Sequence, residues 1–136
     1  MLLATLQAAI AAERSAHGSN RRSAYRATRH VLGGCRTIGI GSRALAVALH
    51  SSVGSVSARG SFDGPIPAST FAELANLPDG TMERWNRQHL LAGAGTDPVE
   101  GETYPASELI RTLLTQSPST DHTLAPAGAL HSQYSG

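Results

Sequence analysis

Only six of the 136 residues are aromatic, and that scarcity sets what kind of core the chain can build. Apolar residues make up 40% of the sequence, enough for one compact core but not a large one. With so few rings, the core volume must come from Ala, Leu, Ile and Val. Ala and Leu are strong helix formers, so the expected fold class is mainly α, a small helical domain.

Breakers divide the chain into short helical pieces. Residues 2–16 lack Gly and Pro, and Leu2, Leu3, Leu6, Ala9 and Ile10 recur at helical spacing. His17-Gly18-Ser19-Asn20 ends that helix, and Ser19 or Asn20 is the expected cap of the next. The second helix is expected from about Arg21 to Leu32, stopped by Gly33-Gly34. Thr37 to Gly41 reads as one small strand, followed by a helix from Arg43 capped by Ser42. Another breaker cluster spans Gly60 to Pro67. The helical pattern returns from Ala68 to Leu91, interrupted at Pro78. Ala92 to Pro105 is turn-rich, and Ser107 to Leu114 reads as a last short helix. The expected organisation is an Arg-rich unit over 1–60, a second unit over 68–115 and a disordered tail over 116–136, whose composition is too polar to fund a core.

Charge is distributed far less evenly than the formal net of +1 implies. The chain has no Lys; all 11 basic residues are Arg. Residues 1–59 carry eight Arg against the single acid Glu13, a net of +7, whereas residues 60–136 carry three Arg against nine acids, a net of −6. A +7 segment attracts polyanions and gains from counterion release. Arg22, Arg26 and Arg29 recur at i, i+4 and i+7 and form one stripe on the second helix. With Arg21, Arg43 and Arg59 they are the expected phosphate contacts. Six such contacts predict a log–log salt slope of about −5. The competing reading is a solvated basic face, or one that pairs with the acidic half.

Leu45 to Ser57 resembles the bacterial helix-turn-helix family. Leu45, Ala46 and Leu49 take the buried places of its first helix and Val56 anchors the second. Ser51 or Ser52 caps the second helix. His50 stands where Gly is usual, so the turn must either hold a bulkier residue in a strained conformation or be built differently. The resemblance implies a recognition helix from Ser52 to Arg59, with Ser52, Val53, Gly54 and Ser57 facing base edges. The wider stretch 21–57 is similar to a helix-turn-helix segment of actinobacterial mobile-element proteins.

Residues 71–111 resemble the winged-helix head of MerR-type and excisionase-like regulators. Thr81, Arg84, Trp85, Leu90 and Leu91 fit the helical part, and Asp97, Pro98, Gly101 and Tyr104 fit a short β-hairpin wing. The resemblance implies Thr81, Arg84 and Arg87 as second-unit DNA candidates. Glu73, Asp79, Glu83, Glu100 and Glu102 surround them, however, and carboxylates beside phosphates repel. A protein partner for this acidic half is therefore an equal expectation.

Weaker motifs are set aside. Gly39 to Ala44 has the look of a dinucleotide-binding glycine loop but lacks a surrounding βαβ unit and the following acid. The six His, at 17, 30, 50, 89, 122 and 131, fall at no metal-ligand spacing. Trp85 reads as a core anchor. No catalytic constellation, metal site or cofactor site is expected. A lone Cys35 offers no internal disulfide, no apolar run is long enough to span a bilayer, and the start of the chain lacks the pattern of a cleaved leader. The expected protein is cytoplasmic, with no membrane partner. The sequence thus predicts a non-enzymatic, homodimeric protein that binds double-stranded DNA with little or modest sequence preference, as a transcriptional regulator or mobile-element accessory factor. The alternative is a phage or assembly adaptor that uses the same helices for protein contacts.

Overall fold

The computed structural model describes residues 2–116. Gln116 ends the last helix, and the rest of the expected tail lies outside the described residues. In chain order the elements are α1 (Leu2–Ser15), α2 (Ser19–Thr37), α3 (Ser42–Leu49), α4 (Val53–Arg59), β1 (Pro65–Pro67), α5 (Ala68–Leu74), α6 (Thr81–Arg87), β2 (Gly95–Asp97), β3 (Gly101–Pro105) and α7 (Ala106–Gln116). The fold class is as expected from the core composition: mainly helical, with one small antiparallel sheet.

The longest helix overturns the expected stop at Gly33-Gly34. α2 runs straight through both glycines, because they serve packing rather than termination. A Cβ on Gly33 would lie 2.1 Å from the Phe62 carbonyl oxygen, and one on Gly34 would lie 2.7 Å from the Ser107 nitrogen. Only glycine lets the 61–63 segment and the start of α7 press this closely onto α2. The helix ends at Thr37, and two residues on Gly39 takes φ 103. There Ile40 N donates to Cys35 O and Gly39 N to Arg36 O, the paired bonds of a Schellman motif, and Ile40 buries beneath it. That motif replaces the strand expected at 37–41. At the other end of α2, Gly18 holds the cap position and neither Ser19 nor Asn20 caps with its side chain. Ser42 likewise opens α3 from inside the helix, behind Gly41.

The same C-terminal device closes α3, α5 and α6, with His50, Asn76 and His89 at positive φ in place of glycine. The turn between α3 and α4 therefore takes the first of its two expected forms, with His50 itself held at φ 53.

β1, β3 and β2 pair in that order, with Ile66 opposite Tyr104 and Asp97 opposite Gly101. The hairpin loop of residues 98–100 closes on Gly101, the first residue of β3, whose φ of 84 favours glycine. Asp63 links sheet to helix: its carboxylate accepts from Ser107 N at 2.9 Å and Ser107 Oγ at 2.6 Å at the start of α7.

The 1–60 and 68–115 units share one core. Leu2, Leu6, Val31, Leu32, Leu45 and Val56 of the first pack with Phe71, Trp85, Tyr104, Leu109, Ile110 and Leu113 of the second. α7 lies against α2 along the Gly34 contact. Three of the six aromatics supply the largest buried side chains, so the few rings are spent where α5, α6 and the sheet converge. Trp85 is the core anchor its sequence position suggests. No helix among the described residues is long and apolar enough to cross a membrane.

Candidate nucleic-acid interface

α2 carries Arg21, Arg22, Arg26, Arg29 and Arg36 and no acid. Two of these sit in its first turn, the positive end of the helix dipole, where a cation is disfavoured. Their placement therefore does nothing for helix stability. The side chains of Arg21, Arg22 and Arg43 make no hydrogen bond or ion pair among the described residues.

The structure gathers four of the six expected phosphate contacts around Tyr25, whose ring is 42% exposed. The Arg29 guanidinium lies 5.4 Å from the ring centroid and that of Arg59, arriving from α4, 5.7 Å. Arg21 and Arg22 line a shallow depression with Tyr25 and Glu13. Arg59 also donates to Glu13 Oε2 at 2.5 Å. The single acid of the basic half is thus spent on one arginine, and this pair is partly shielded from solvent.

The other two expected contacts go elsewhere. Arg26 faces away from Tyr25, toward the hairpin residues Asp97 and Glu100. Arg43 stands exposed on α3. Arg36, unassigned from sequence, donates to the carbonyls of Ser57 and Gly60 at 3.2 and 3.0 Å. It closes the C-terminal end of α4 and fixes that helix to α2.

Among the base-facing candidates, Val53 and Gly54 are exposed at the start of α4. Ser52 is exposed as well, but its hydroxyl accepts from Ser55 N at 3.0 Å and serves as the helix cap. Ser57 is a correction: half-buried, it donates to Ser42 Oγ at 3.3 Å and ties α4 to α3 instead of facing outward. The buried places match the expected pattern, with Leu45, Ala46 and Val56 in the core and Leu49 packed against it. The outer surface of this helix pair is uncharged apart from Arg43. Val47 is 69% exposed and Val53 46%.

In the second unit Thr81 is buried and has no outward face; Arg84 and Arg87 are exposed. The hairpin tip is acidic and bears the exposed Val99. Asp97 Oδ1 accepts from Val99 N at 2.8 Å and Glu100 N at 2.9 Å. Those two bonds, that from Glu100 first, hold its carboxyl below the usual carboxylate range, with Arg26 adding to the effect. Glu102 accepts from the Tyr104 hydroxyl. Among the described residues, no group of three His, Cys, Asp or Glu is placed to hold a metal ion.

Sequence reasoning missed Tyr25 as the organiser of the basic cluster. Its i, i+4 spacing to Arg29 is a visible signal, but Arg59 lies 34 residues further along, and no local pattern announces that approach. In comparison with known proteins, no family model, curated protein or solved structure matches this chain.

Proposed function

We propose that this chain binds double-stranded DNA, gripping phosphates with the arginine cluster around Tyr25 and presenting the α3–α4 pair to a groove, as a regulator or mobile-element accessory factor. The observation that carries this reading is the convergence of Arg29 and Arg59 on one exposed ring, with Arg21 and Arg22 beside it and Glu13 the only acid among the described residues lining the same depression. Four cations held together without matching acids repel one another, and a polyanion relieves that repulsion. The recognition surface of α4 offers small side chains and no bidentate reader, so affinity comes mainly from phosphates and sequence preference is modest. The hairpin, with its carboxylates, is the part of the molecule held off the backbone.

The test is fluorescence anisotropy of the full chain on a random duplex across a salt series. Arg21→Ala, Arg22→Ala and Arg29→Ala combined should flatten the log–log slope by about three contacts' worth, roughly 2.7. Arg26→Ala alone, its charge already opposed by Asp97, should change the slope by much less. An unchanged slope in the triple variant would remove the cluster from the interface.

A second reading rests on the exposed Val47 and Val53. A helix pair with exposed apolar side chains also suits a protein partner, as in an assembly adaptor. Substituting both by Ser would then abolish partner capture.

A further inference from the structure

A cavity of about 550 Å³ opens between α1, α2, α5 and the β-hairpin, on the opposite side of α2 from Tyr25. That volume lies within the range of small-molecule sites. Its floor is made of methyl groups: Ala9 and Ala12 from α1, Ala16 just beyond it, and Ala24 and Ala27 from α2. Ile66 and Leu74 complete the apolar lining.

The rim has a definite sign. Glu73 comes from α5, and Asp97 and Glu100 from the hairpin, against one cation, Arg26. Arg26 is set against Asp97, which stays ionised. Glu73 and Glu100 have no ion-pair partner among the described residues, so their carboxylates are available as acceptors. His30, also in the lining, has Nδ1 2.8 Å from the Pro65 carbonyl oxygen. A carbonyl only accepts, so Nδ1 donates to it and the ring is held at the edge of the cavity. An anion placed here would meet three carboxylates and one guanidinium.

We propose that this cavity binds an organic cation with a short aliphatic body, an alkyl amine or diamine, with its ammonium at the rim carboxylates and its chain on the alanine floor. The site is independent of the DNA reading, since it uses none of the four arginines around Tyr25.

The test uses the full chain without nucleic acid. Hexamethylenediamine is titrated in, with hexanoate and sodium chloride at matched ionic strength as comparisons, followed by calorimetry and by shifts of assigned amide resonances. Saturable diamine binding is expected, with shifts centred on Ala12, Ala27 and Thr70. Hexanoate and salt should produce neither. Glu73→Gln, at an exposed position that leaves the core intact, should weaken binding roughly tenfold by removing one charge-assisted bond. Ala27→Leu should abolish it by filling the floor. Diamine shifts that sodium chloride reproduces would overturn the proposal. So would binding that survives in a folded Ala27→Leu chain, because attraction to surface acids needs no cavity. If Ala27→Leu fails to fold, the Glu73→Gln affinity and the map of shifted amides decide the matter.

Discussion

Single residues in this chain act against their usual propensities, and tertiary contact explains why. Gly34→Ala is the sharpest case. In an exposed helix interior the change would stabilise by about 1 kcal/mol. Here the new Cβ would meet backbone of α7 at 2.7 Å, so α2 and α7 must separate. The expected outcome is a loss of about 1–3 kcal/mol, read from the urea midpoint. His50 gives the opposite sign. It holds φ 53 at an exposed turn, a conformation costly for an L side chain. His50→Gly should raise the midpoint by the equivalent of about 0.5 kcal/mol, once the greater freedom of Gly in the unfolded chain is deducted. Cys35 supplies the pH dependence. Burial, with the charge of Asp63 adding to it, pushes its thiol from 9.0 up to about 12. Between those values the unfolded chain has lost the proton and the folded one keeps it. Stability is therefore full below pH 9.0 and falls as pH rises toward 12. A thiol reagent at pH 8 should label Cys35 only after denaturant is added, and prompt labelling of the native chain would contradict this burial.

Elements depend on caps that were only partly legible. α4 has seven residues and too little length to persist alone, so it relies on Ser52 at one end and Arg36 at the other. Ser52 was visible as a cap because a hydroxyl just before a helical run signals one. Arg36 was not, since it reaches α4 from 21 residues away. Ser52→Ala should cost about 1 kcal/mol. It should also raise amide exchange across Val53–Arg59 before the rest of the chain opens, whereas uniform exchange would show that Arg36 alone holds the helix. The three-strand sheet was half legible. Asp97 and Gly101 announce a hairpin by their turn chemistry. β1 has three residues, two of them Pro, and its pairing with β3 has no local signature.

At the scale of the whole molecule, the shared core predicts how the chain unfolds. Leu2 and Leu6 near one end pack in the same cluster as Leu109, Ile110 and Leu113 near the other end of the described residues. Thermal or urea denaturation should therefore show one transition, coincident by circular dichroism and by Trp85 fluorescence. Two resolved transitions would mean that the basic and acidic halves hold separate cores. A chain cut at residue 64 should lose native helicity in both pieces, because each exposes the apolar face the other covered. The charge asymmetry changes meaning on this scale too. The halves share a core, yet their charges remain apart: the arginines collect on the Tyr25 side of α2, and the hairpin carboxylates lie across the helix with Arg26 between them.

Composition and local spacing by themselves determined the helical class, the buried places of Leu45, Ala46 and Val56, a serine cap at 51 or 52 and the basic character of α2. Each depends on residues within a turn or two of one another, so chain chemistry suffices. Only the tertiary structure decided that Gly33 and Gly34 continue a helix, that Thr81 and Ser57 turn inward, that Arg59 joins Arg29 at Tyr25, and that alanines of α1 and α2 line a cavity rimmed with acids. Those outcomes are set by which distant surfaces press together. Close approach, burial and field are properties of neighbours in space, which spacing along the chain does not encode.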